Sequence, residues 1–547
     1  MTRRCYFTQP SRTIRSAVSD LTRLPVAICN TIPIPKMSHE PPSQPVSETS
    51  LKDERATNDV NGYRTLANLP GAQKGVLLGI FCLSQFLDTY ANSALFAAIP
   101  HLAVDLNITN SDSVWLISGY QLTFASLLLI CGRVSDLYNP KIVFLLGATV
   151  MGGFSLGAGF VRSQVTLIVL RAMMGIGAAL TVPSALYIII HMFPDPASQS
   201  KAVAAFSASA AIGNVIGLLI GAMIVTISTW PWVFYSFAII AAIIFVGAAV
   251  LAPSPRREHV SAIEKAKRFK RLDLFGVLLL TAGLILFIFG VTTGSVNGWN
   301  TARCLAPLII SFFLIAAFFL WEARLPEDMA AIPPNLWNYT NFAVLVLCGA
   351  TMPFNWWGCV QLLFSWIWQN VYGWTPIQVA LRLLPLGLLG FPVTAIANVM
   401  QQKLPLKWVI FTGQVIGIVG TVLLPFADSP HHYWPFAFPG FVLGTSGMTI
   451  IFATVNIAVF AVTPPEKAGV VGSMFNCFLQ LGCAAGTAIV TSIQTSVDDR
   501  HGGPTAWEGR AAGLWFLFAL LVVDTLCILV FMKNTVAPTK QEAEKAV

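Results

Sequence analysis

Charged residues are scarce in this sequence, since Asp, Glu, Lys and Arg make up only 11% of its 547 residues. Ordinary soluble domains carry roughly 25%. The sequence also lacks a GxxxxGK[ST] phosphate loop and an HExxH zinc motif, and its ten cysteines contain no CxxC pair. We therefore predict that the chain is not an enzyme, has no metal site and needs no bound cofactor.

Long apolar segments are what the sequence has in abundance. Hydrophobic residues reach 55%, the mean hydropathy is +0.69, and apolar runs of about 20 residues or more recur between residues 75 and 532. A run of that length crosses a lipid bilayer as a helix. We predict an all-α membrane protein with about fourteen transmembrane helices.

The distribution of basic residues predicts the orientation. With both termini in the cytoplasm, the inner loops hold 14 Lys and Arg residues and the outer loops hold 4. Cytoplasmic loops of membrane proteins carry this excess of positive charge. The net charge of +8 is thus mostly a topology signal, and we expect no binding of nucleic acid.

The two ends of the chain differ in composition from the apolar middle. Residues 1–74 are rich in Ser, Pro and polar residues, so we expect a largely disordered cytoplasmic tail, and residues 533–547 should form a cytoplasmic C-terminal tail. The first 25 residues are rich in Arg and nearly free of acidic residues. They suggest either a transit peptide or a gene model extended upstream of a true start at Met37.

Glycine spacing points to an internal duplication. The fifth apolar run contains Gly213, Gly217 and Gly221, and the thirteenth contains Gly482 and Gly486 at the same spacing. Glycines four residues apart share one helix face and let a neighbouring backbone approach closely, although such pairs are common in membrane helices. The offset of eight runs predicts two six-helix halves with two extra helices between them.

This interpretation sets the domain limits. We assign residues 75–252 to the first six-helix bundle and residues 341–532 to the second. Residues 253–340 would form a basic cytoplasmic linker and the two extra transmembrane helices. The segment from Pro253 to Arg271 holds seven of the inner Lys and Arg residues, as a connector on the cytoplasmic side should.

Five motifs in succession resemble those of the major facilitator superfamily, and in particular its fourteen-span drug:proton antiporters of the fungal aminotriazole-resistance type. They are LDTYANSALFAAIP (Leu87 to Pro100), WLISGYQL (Trp115 to Leu122), GRVSDLYNPK (Gly132 to Lys141), RAMMGIGAAL (Arg171 to Leu180) and GNVIGLLIG (Gly213 to Gly221). The resemblance covers about residues 75–532. It implies the major facilitator fold and transport driven by a proton gradient.

The first apolar run contains an acid, Asp88, with Gln85 and Asn92 on the same helix face. Ionisable residues inside a membrane are costly to insert and usually mark ion or substrate paths. Desolvation favours the protonated carboxyl group, whereas a nearby cation favours the ionised one. We expect Asp88 to take up and release the coupling proton beside the substrate cavity; the alternative is a structural hydrogen bond.

Arg171 is the expected partner of Asp88, because the resemblance places the first and fourth spans on the same cavity wall. It would stabilise the carboxylate, bind an anionic group or expel the proton. A purely structural arginine bound to backbone carbonyl groups is the alternative.

The loop after the second span carries the expected conformational gate, Gly132, Arg133, Asp136 and Lys141. The resemblance implies that these residues hold the two halves together on the cytoplasmic side without contacting the substrate. Gly213, Gly217 and Gly221 are the expected helix-packing motif.

The second half offers residues for an amphipathic organic ligand. Aromatic residues and one glutamine recur on one face of the ninth run (Phe354, Trp357, Gln361, Phe364 and Trp368), and a polar line follows the thirteenth (Ser473, Asn476, Gln480 and Thr487). Aromatic stacking with a few hydrogen bonds would suit such a ligand. We therefore add Trp357, Gln361, Asn476 and Gln480 to the cavity, while noting that an aromatic stripe also serves helix packing or contact with lipid.

These expectations combine into one functional hypothesis. The sequence predicts a proton-coupled exporter of small organic molecules such as drugs or toxins, acting as a monomer by alternating access, in the plasma membrane, with the vacuolar membrane as the alternative. The alternative is a proton-coupled uptake carrier for a nutrient or an iron chelate, because the same fold and acid serve import equally well.

Overall fold

The computed structural model describes residues 66–534 except 67, 107, 109, 254–272, 327–329, 331, 333, 464–467, 502 and 504. Most of the two tails and of the basic linker therefore lies outside the described residues, as do the predictions made for them. The described part is helical and contains no strand. Its long helices are α1 (Gly71–Asp105), α2 (Asn110–Leu137), α3 (Pro140–Phe160), α4 (Gln164–Met192), α5 (Pro196–Ile227), α6 (Pro231–Leu251), α7 (Leu274–Asn297), α8 (Ala302–Glu322), α9 (Phe342–Asn370), α10 (Pro376–Lys403), α11 (Leu406–Phe426), α12 (Pro430–Ala461), α13 (Ala468–Asp498) and α14 (Glu508–Phe531).

Thirteen helices of the described part are long and apolar enough to cross a membrane. The remaining long helix is α1, which is 35 residues long and carries Gln85, Asp88 and Asn92, so its mean hydropathy is lower. Together they confirm the prediction of an all-α protein with about fourteen transmembrane helices.

Four of the long helices are irregular, and one of them, α11, ends with a 3₁₀ turn at Leu424–Phe426. In α9 a π-helical turn spans Leu345–Ala350, and α12 begins with a 3₁₀ turn followed by a π-helical turn at Tyr433–Ala437. In α10 the first segment ends at Leu383, just before Pro385. Proline lacks the N–H that a helix interior requires, so it breaks the hydrogen-bond ladder there.

Helix pairing in the first half recurs eight helices later. The pairs α1–α5, α2–α4, α3–α4 and α3–α6 all pack together, and so do α9–α13, α10–α12, α11–α12 and α11–α14. Two duplicated six-helix halves would produce this repeat, whereas the domain limits assigned from the sequence stay a prediction.

The predicted glycine motif of α5 lies against α1. A Cβ atom on Gly217 would stand 3.0 Å from the Tyr90 Cα atom, and one on Gly213 or Gly221 would overlap backbone atoms of α1. In the second half, a Cβ atom on Gly482 of α13 would overlap the Thr351 carbonyl group of α9. The absence of side chains therefore permits close helix packing at equivalent places in the two halves.

The extra helices α7 and α8 pack on each other, and α7 also packs on α2 of the first half and α13 of the second. The Thr281 hydroxyl donates to the Ser126 carbonyl oxygen of α2 at 3.1 Å. Just beyond the end of α7, the Trp299 indole donates to the Ser492 hydroxyl of α13 at 2.5 Å. Helix α7 thus lies along the seam between the two halves.

Candidate functional site

The predicted proton-coupling acid is buried among polar groups. Asp88 has 3% of its surface exposed. The Tyr120 hydroxyl of α2 donates to Asp88 Oδ1 at 2.5 Å, and Gln85 Nε2 lies 3.5 Å from Asp88 Oδ2. The carboxyl group therefore has one strong hydrogen bond from another helix and one weak one from its own.

The guanidinium group of Arg171 is also buried, with 1% exposed. Its Nε donates to the Leu116 carbonyl oxygen at 2.9 Å, its Nη1 to the Ala91 carbonyl oxygen at 3.1 Å and its Nη2 to Asn92 Oδ1 at 3.0 Å. These bonds join α4 to both α1 and α2. They are also the bonds that the structural alternative for this arginine requires.

Tyr120 lies between the Asp88 carboxyl group and the Arg171 guanidinium group. Its fully buried ring lies 4.9 Å from the Arg171 guanidinium carbon, while its hydroxyl binds Asp88. Among the described residues, no direct ion pair joins Arg171 and Asp88, so their charges interact across this ring. Sequence reasoning did not name Tyr120 as a site residue, although it stands in the second-span motif WLISGYQL.

Replacing Tyr120 by Phe tests this connection. The change removes the hydrogen bond to Asp88 and keeps the ring under Arg171. A hydrogen bond to the charged form of a carboxyl group favours that form and is worth about 1.5–3 kcal/mol. We expect the pH profile of proton-driven transport, measured in proteoliposomes, to move upward by about one to two pH units.

Tyr90→Phe is the matched control, because Tyr90 is equally buried but its hydroxyl binds Ser236 at 2.6 Å. Its pH profile should match that of the wild type. Identical profiles for the two variants would contradict the role of Tyr120.

Polar side chains also meet where the two halves touch. Gln361 of α9 donates to Asn214 Oδ1 of α5 at 3.4 Å, and Asn214 also accepts a hydrogen bond from Ser93 of α1. Gln121 of α2 donates to the Cys483 sulfur of α13 at 3.0 Å. Gln361 was predicted for the cavity, whereas Asn214 and Gln121 were not.

The other predicted cavity residues have varied surroundings. Trp357 and Asn476 are half-buried, and Gln480 has 8% exposed. Asn476 Nδ2 donates to the Gly472 carbonyl oxygen within its own helix at 3.0 Å. The structure therefore places these residues on α9 and α13, two helices that pack together, without showing what they bind.

The predicted aromatic stripe of α9 divides into two groups. Phe354 and Trp357 pack on Phe452 of α12, with ring centroids 5.9 and 6.3 Å from its own. Phe364 and Trp368 are almost fully buried and pack mainly inside the second half; their ring partners are Phe441, Trp507, Tyr433 and Trp374. Only the first group remains available for a ligand, because burial of the second corresponds to ordinary packing.

Residues 81–487 match the family model described as Major Facilitator Superfamily. The chain belongs to this superfamily. It is therefore an integral multi-pass membrane protein, and it falls within a family of transporters and not of enzymes.

Similar proteins of this superfamily include efflux pumps. The efflux pump terG of Aspergillus terreus is 26% identical over 85% of this chain and 88% of its own length. A low affinity ammonium transporter of Saccharomyces cerevisiae is 25% identical over 84% of this chain and 90% of its own. The crystal structure of a POT family transporter has a TM-score of 0.60 at 16% identity, covering 83% of this chain and 95% of that one, and supports the fold alone.

The segment that carries the superfamily signature was predicted to be a loop, but the structure places it at the end of α2 and the start of α3, with only Tyr138 and Asn139 between the two helices. This segment makes contacts of two kinds. A Cβ atom on Gly132 would overlap the Ser473 side chain of α13, and Arg133 Nη2 donates to the Ala330 carbonyl oxygen. Lys141 Nζ instead donates to the Ala249 and Ala252 carbonyl oxygens at 2.9 and 2.5 Å, at the end of α6 within the first half. The Asp136 side chain lies outside the described residues, and the gating role of the four stays a prediction.

Proposed function

We propose that this superfamily member is a proton-coupled exporter of small organic molecules that works by alternating access. The observation that carries the proposal is the buried arrangement of Asp88, Tyr120 and Arg171. Burial of Asp88 favours its protonated form, whereas the hydrogen bond from Tyr120 and the cation one ring away favour its ionised form, so the two protonation states are held in balance. Rocking of the two halves would change water access to it.

The contacts between the halves support a ligand of mixed character. Asn214 and Gln361 supply neutral hydrogen-bonding groups where α5 meets α9, and Trp357 supplies a half-buried aromatic face on α9, about one turn before Gln361. Neutral amides with an aromatic surface suit a largely apolar molecule that has a few polar groups. The efflux pump terG among the relatives agrees with the direction of transport that we propose.

The available driving force is sufficient. One proton that crosses 100 mV provides about 2.3 kcal/mol, and a difference of one pH unit adds about 1.4 kcal/mol. With one proton exchanged per substrate, the sum supports a concentration ratio of several hundredfold, since about 1.4 kcal/mol corresponds to a factor of ten. We further propose a monomer in the plasma membrane, with both termini in the cytoplasm.

A second candidate is proton-coupled uptake of a small solute, and the ammonium transporter among the relatives favours it. The fold and the buried acid are compatible with either direction. Direction must therefore be measured directly.

Transport by oriented vesicles separates the two functions. We expect inside-out vesicles, acidified inside, to accumulate organic substrates from a panel of azoles and fungal toxins, because the exporter moves protons out of the vesicle as substrate enters. The same vesicles preloaded with methylammonium or an iron chelate should not release it faster than empty-vector vesicles. Gradient-driven release of these solutes, without accumulation of any organic compound, would replace export by uptake.

A further inference from the structure

A second acid is buried in the second half, at Asp524 of α14. Its side chain has 8% exposed, and Gln414 Nε2 of α11 donates to Asp524 Oδ2 at 2.8 Å. Gln414 is itself fully buried. Asp524 lies seven residues before the end of α14 at Phe531, which is roughly 10 Å along the helix axis.

Among the described residues, the titratable groups around Asp524 are thiols. Cys348 of α9 lies beside Asp524, Cys527 of α14 lies beside Cys348, and α11 contributes the neutral Gln414. The described residues of α13 contribute no titratable group to this cluster. In the part of the chain that the structure describes, no Lys or Arg lies within ion-pair distance of Asp524; Lys407 binds the Leu529 carbonyl oxygen at 2.8 Å, more than one turn further along α14.

A permanently ionised Asp524 is unfavourable in these surroundings. A buried charge is stable when it is paired with an opposite charge or neutralised, and the neighbours here are neutral. Uptake of a proton removes the charge. Ionisable residues inside a membrane are, for this reason, usually functional.

Gln414 can serve both protonation states of the acid. In the structure its Nε2 donates to the carboxyl group, while its Oε1 is buried and has no hydrogen-bond partner among the described residues. A carboxylate only accepts hydrogen bonds, whereas a carboxylic acid also donates one. When the terminal amide rotates by half a turn, Oε1 faces the acid and can accept its O–H.

The backbone beside Asp524 is irregular in the same place. Cys348 stands in the π-helical turn Leu345–Ala350 of α9. Such turns are rare and occur frequently at functional sites. This observation is independent of the hydrogen bond to Gln414 and concerns a different helix.

We propose that Asp524 is a second proton-binding site, separate from Asp88, in which Gln414 exchanges its amide N–H for its carbonyl oxygen as the proton arrives. The site rests on the proposed function, which it deepens by giving each half of the transporter its own proton. A proton moves from water to the carboxylate, and no covalent bond is formed or broken other than the O–H bond.

Infrared difference spectroscopy on the purified full-length protein in lipid tests the proposal. A pH step should protonate both acids in the wild type and produce two carboxylic C=O bands. Asp524→Asn, which is nearly isosteric, should lose one band and retain the other, and Asp88→Asn should show the converse. Proton uptake per protein in the same step should be lower than in the wild type by about one proton in each variant.

Asp273→Asn is the matched control. Asp273 is similarly buried, with 8% exposed, but it accepts hydrogen bonds from Gly276 N and the Trp321 indole at 3.2 and 2.9 Å. Its left-handed backbone, with φ of 40°, is tolerated by Asn. The variant should retain both C=O bands.

Gln414→Leu supplies a second measurement that leaves the acid in place. Loss of the hydrogen bond should move the Asp524 band to higher frequency and leave the Asp88 band unchanged. Retention of the wild-type spectrum by Asp524→Asn, or by Gln414→Leu if the first variant does not fold, would overturn the proposal. Gradient-driven transport by Asp88→Asn at the wild-type ratio would instead contradict the proposed function, and it would leave the assignment of the Asp524 band unaffected.

Discussion

Asp88→Asn should abolish concentrative transport and leave binding of the substrate intact. The wild type, exchanging one proton under 100 mV and one pH unit, can sustain a ratio of several hundredfold, whereas a variant that cannot bind the coupling proton should reach about onefold. Asn keeps the size of the side chain and can still pair with Tyr120 and Gln85. The measurement is the steady-state substrate ratio in proteoliposomes with an imposed gradient.

Asp105→Asn provides the comparison for this experiment. Asp105 lies on the same helix but is exposed, and its carboxylate accepts a hydrogen bond from the Trp230 indole at 2.8 Å. The Asp105→Asn variant should accumulate substrate as the wild type does. Concentrative transport by Asp88→Asn at the wild-type ratio would remove Asp88 from the coupling role.

Arg171→Lys should produce the largest loss of stability among conservative substitutions. An ammonium group cannot reproduce the planar fork of arginine, so it cannot reach the Leu116 carbonyl, the Ala91 carbonyl and Asn92 together. Hydrogen bonds from a charged group are worth about 1.5–3 kcal/mol each. The loss of two should lower the free energy of unfolding by about 3–6 kcal/mol, measured by denaturant unfolding of the purified protein in detergent.

Arg303→Lys tests whether the effect belongs to this position. Arg303 is exposed at the start of α8, so its replacement should change stability by less than about 0.5 kcal/mol. Equal stability of the two variants would mean that the three bonds of Arg171 do not hold α4 to α1 and α2.

Much of the fold could be predicted because the membrane imposes simple rules on a sequence. The length of the apolar runs predicted the number of helices, and the glycine spacing predicted that α5 packs closely on a neighbour, although it did not identify that neighbour as α1. The irregular turns of α9 and α12 could not be predicted, since no proline or glycine pattern specifies a π-helical turn. The same holds for the place of α7, because its apolar surface does not identify the helices it packs on.

Sequence reasoning found the site residue whose burial in a membrane is energetically costly, and it missed a site residue of a type that is common in membrane helices. Asp88 stands out in an apolar run, whereas a tyrosine such as Tyr120 is common in membrane helices, and only its motif could have drawn attention to it. The stripe on α9 does not reveal which helices lie against it, so Phe364 and Trp368 were grouped with the residues for a ligand, whereas the structure packs them inside the second half. Gln414, the hydrogen-bond partner of Asp524, lies 110 residues away in the sequence and could be found only in three dimensions.

The position of α7 has a mechanical consequence. Thr281 of α7 is hydrogen-bonded to α2 of the first half, and Trp299, just beyond α7, is hydrogen-bonded to α13 of the second half. The extra helices α7 and α8 therefore link the two halves, which the proposed cycle requires to separate. In each transport cycle, either the hydrogen bond between the Trp299 indole and Ser492 must break, or α7 and α8 must move together with one of the two halves. The extra helices also cover the boundary between the two halves and keep lipid acyl chains away from it. A chain lacking residues 274–322 would expose to lipid the parts of α2 and α13 that α7 now covers.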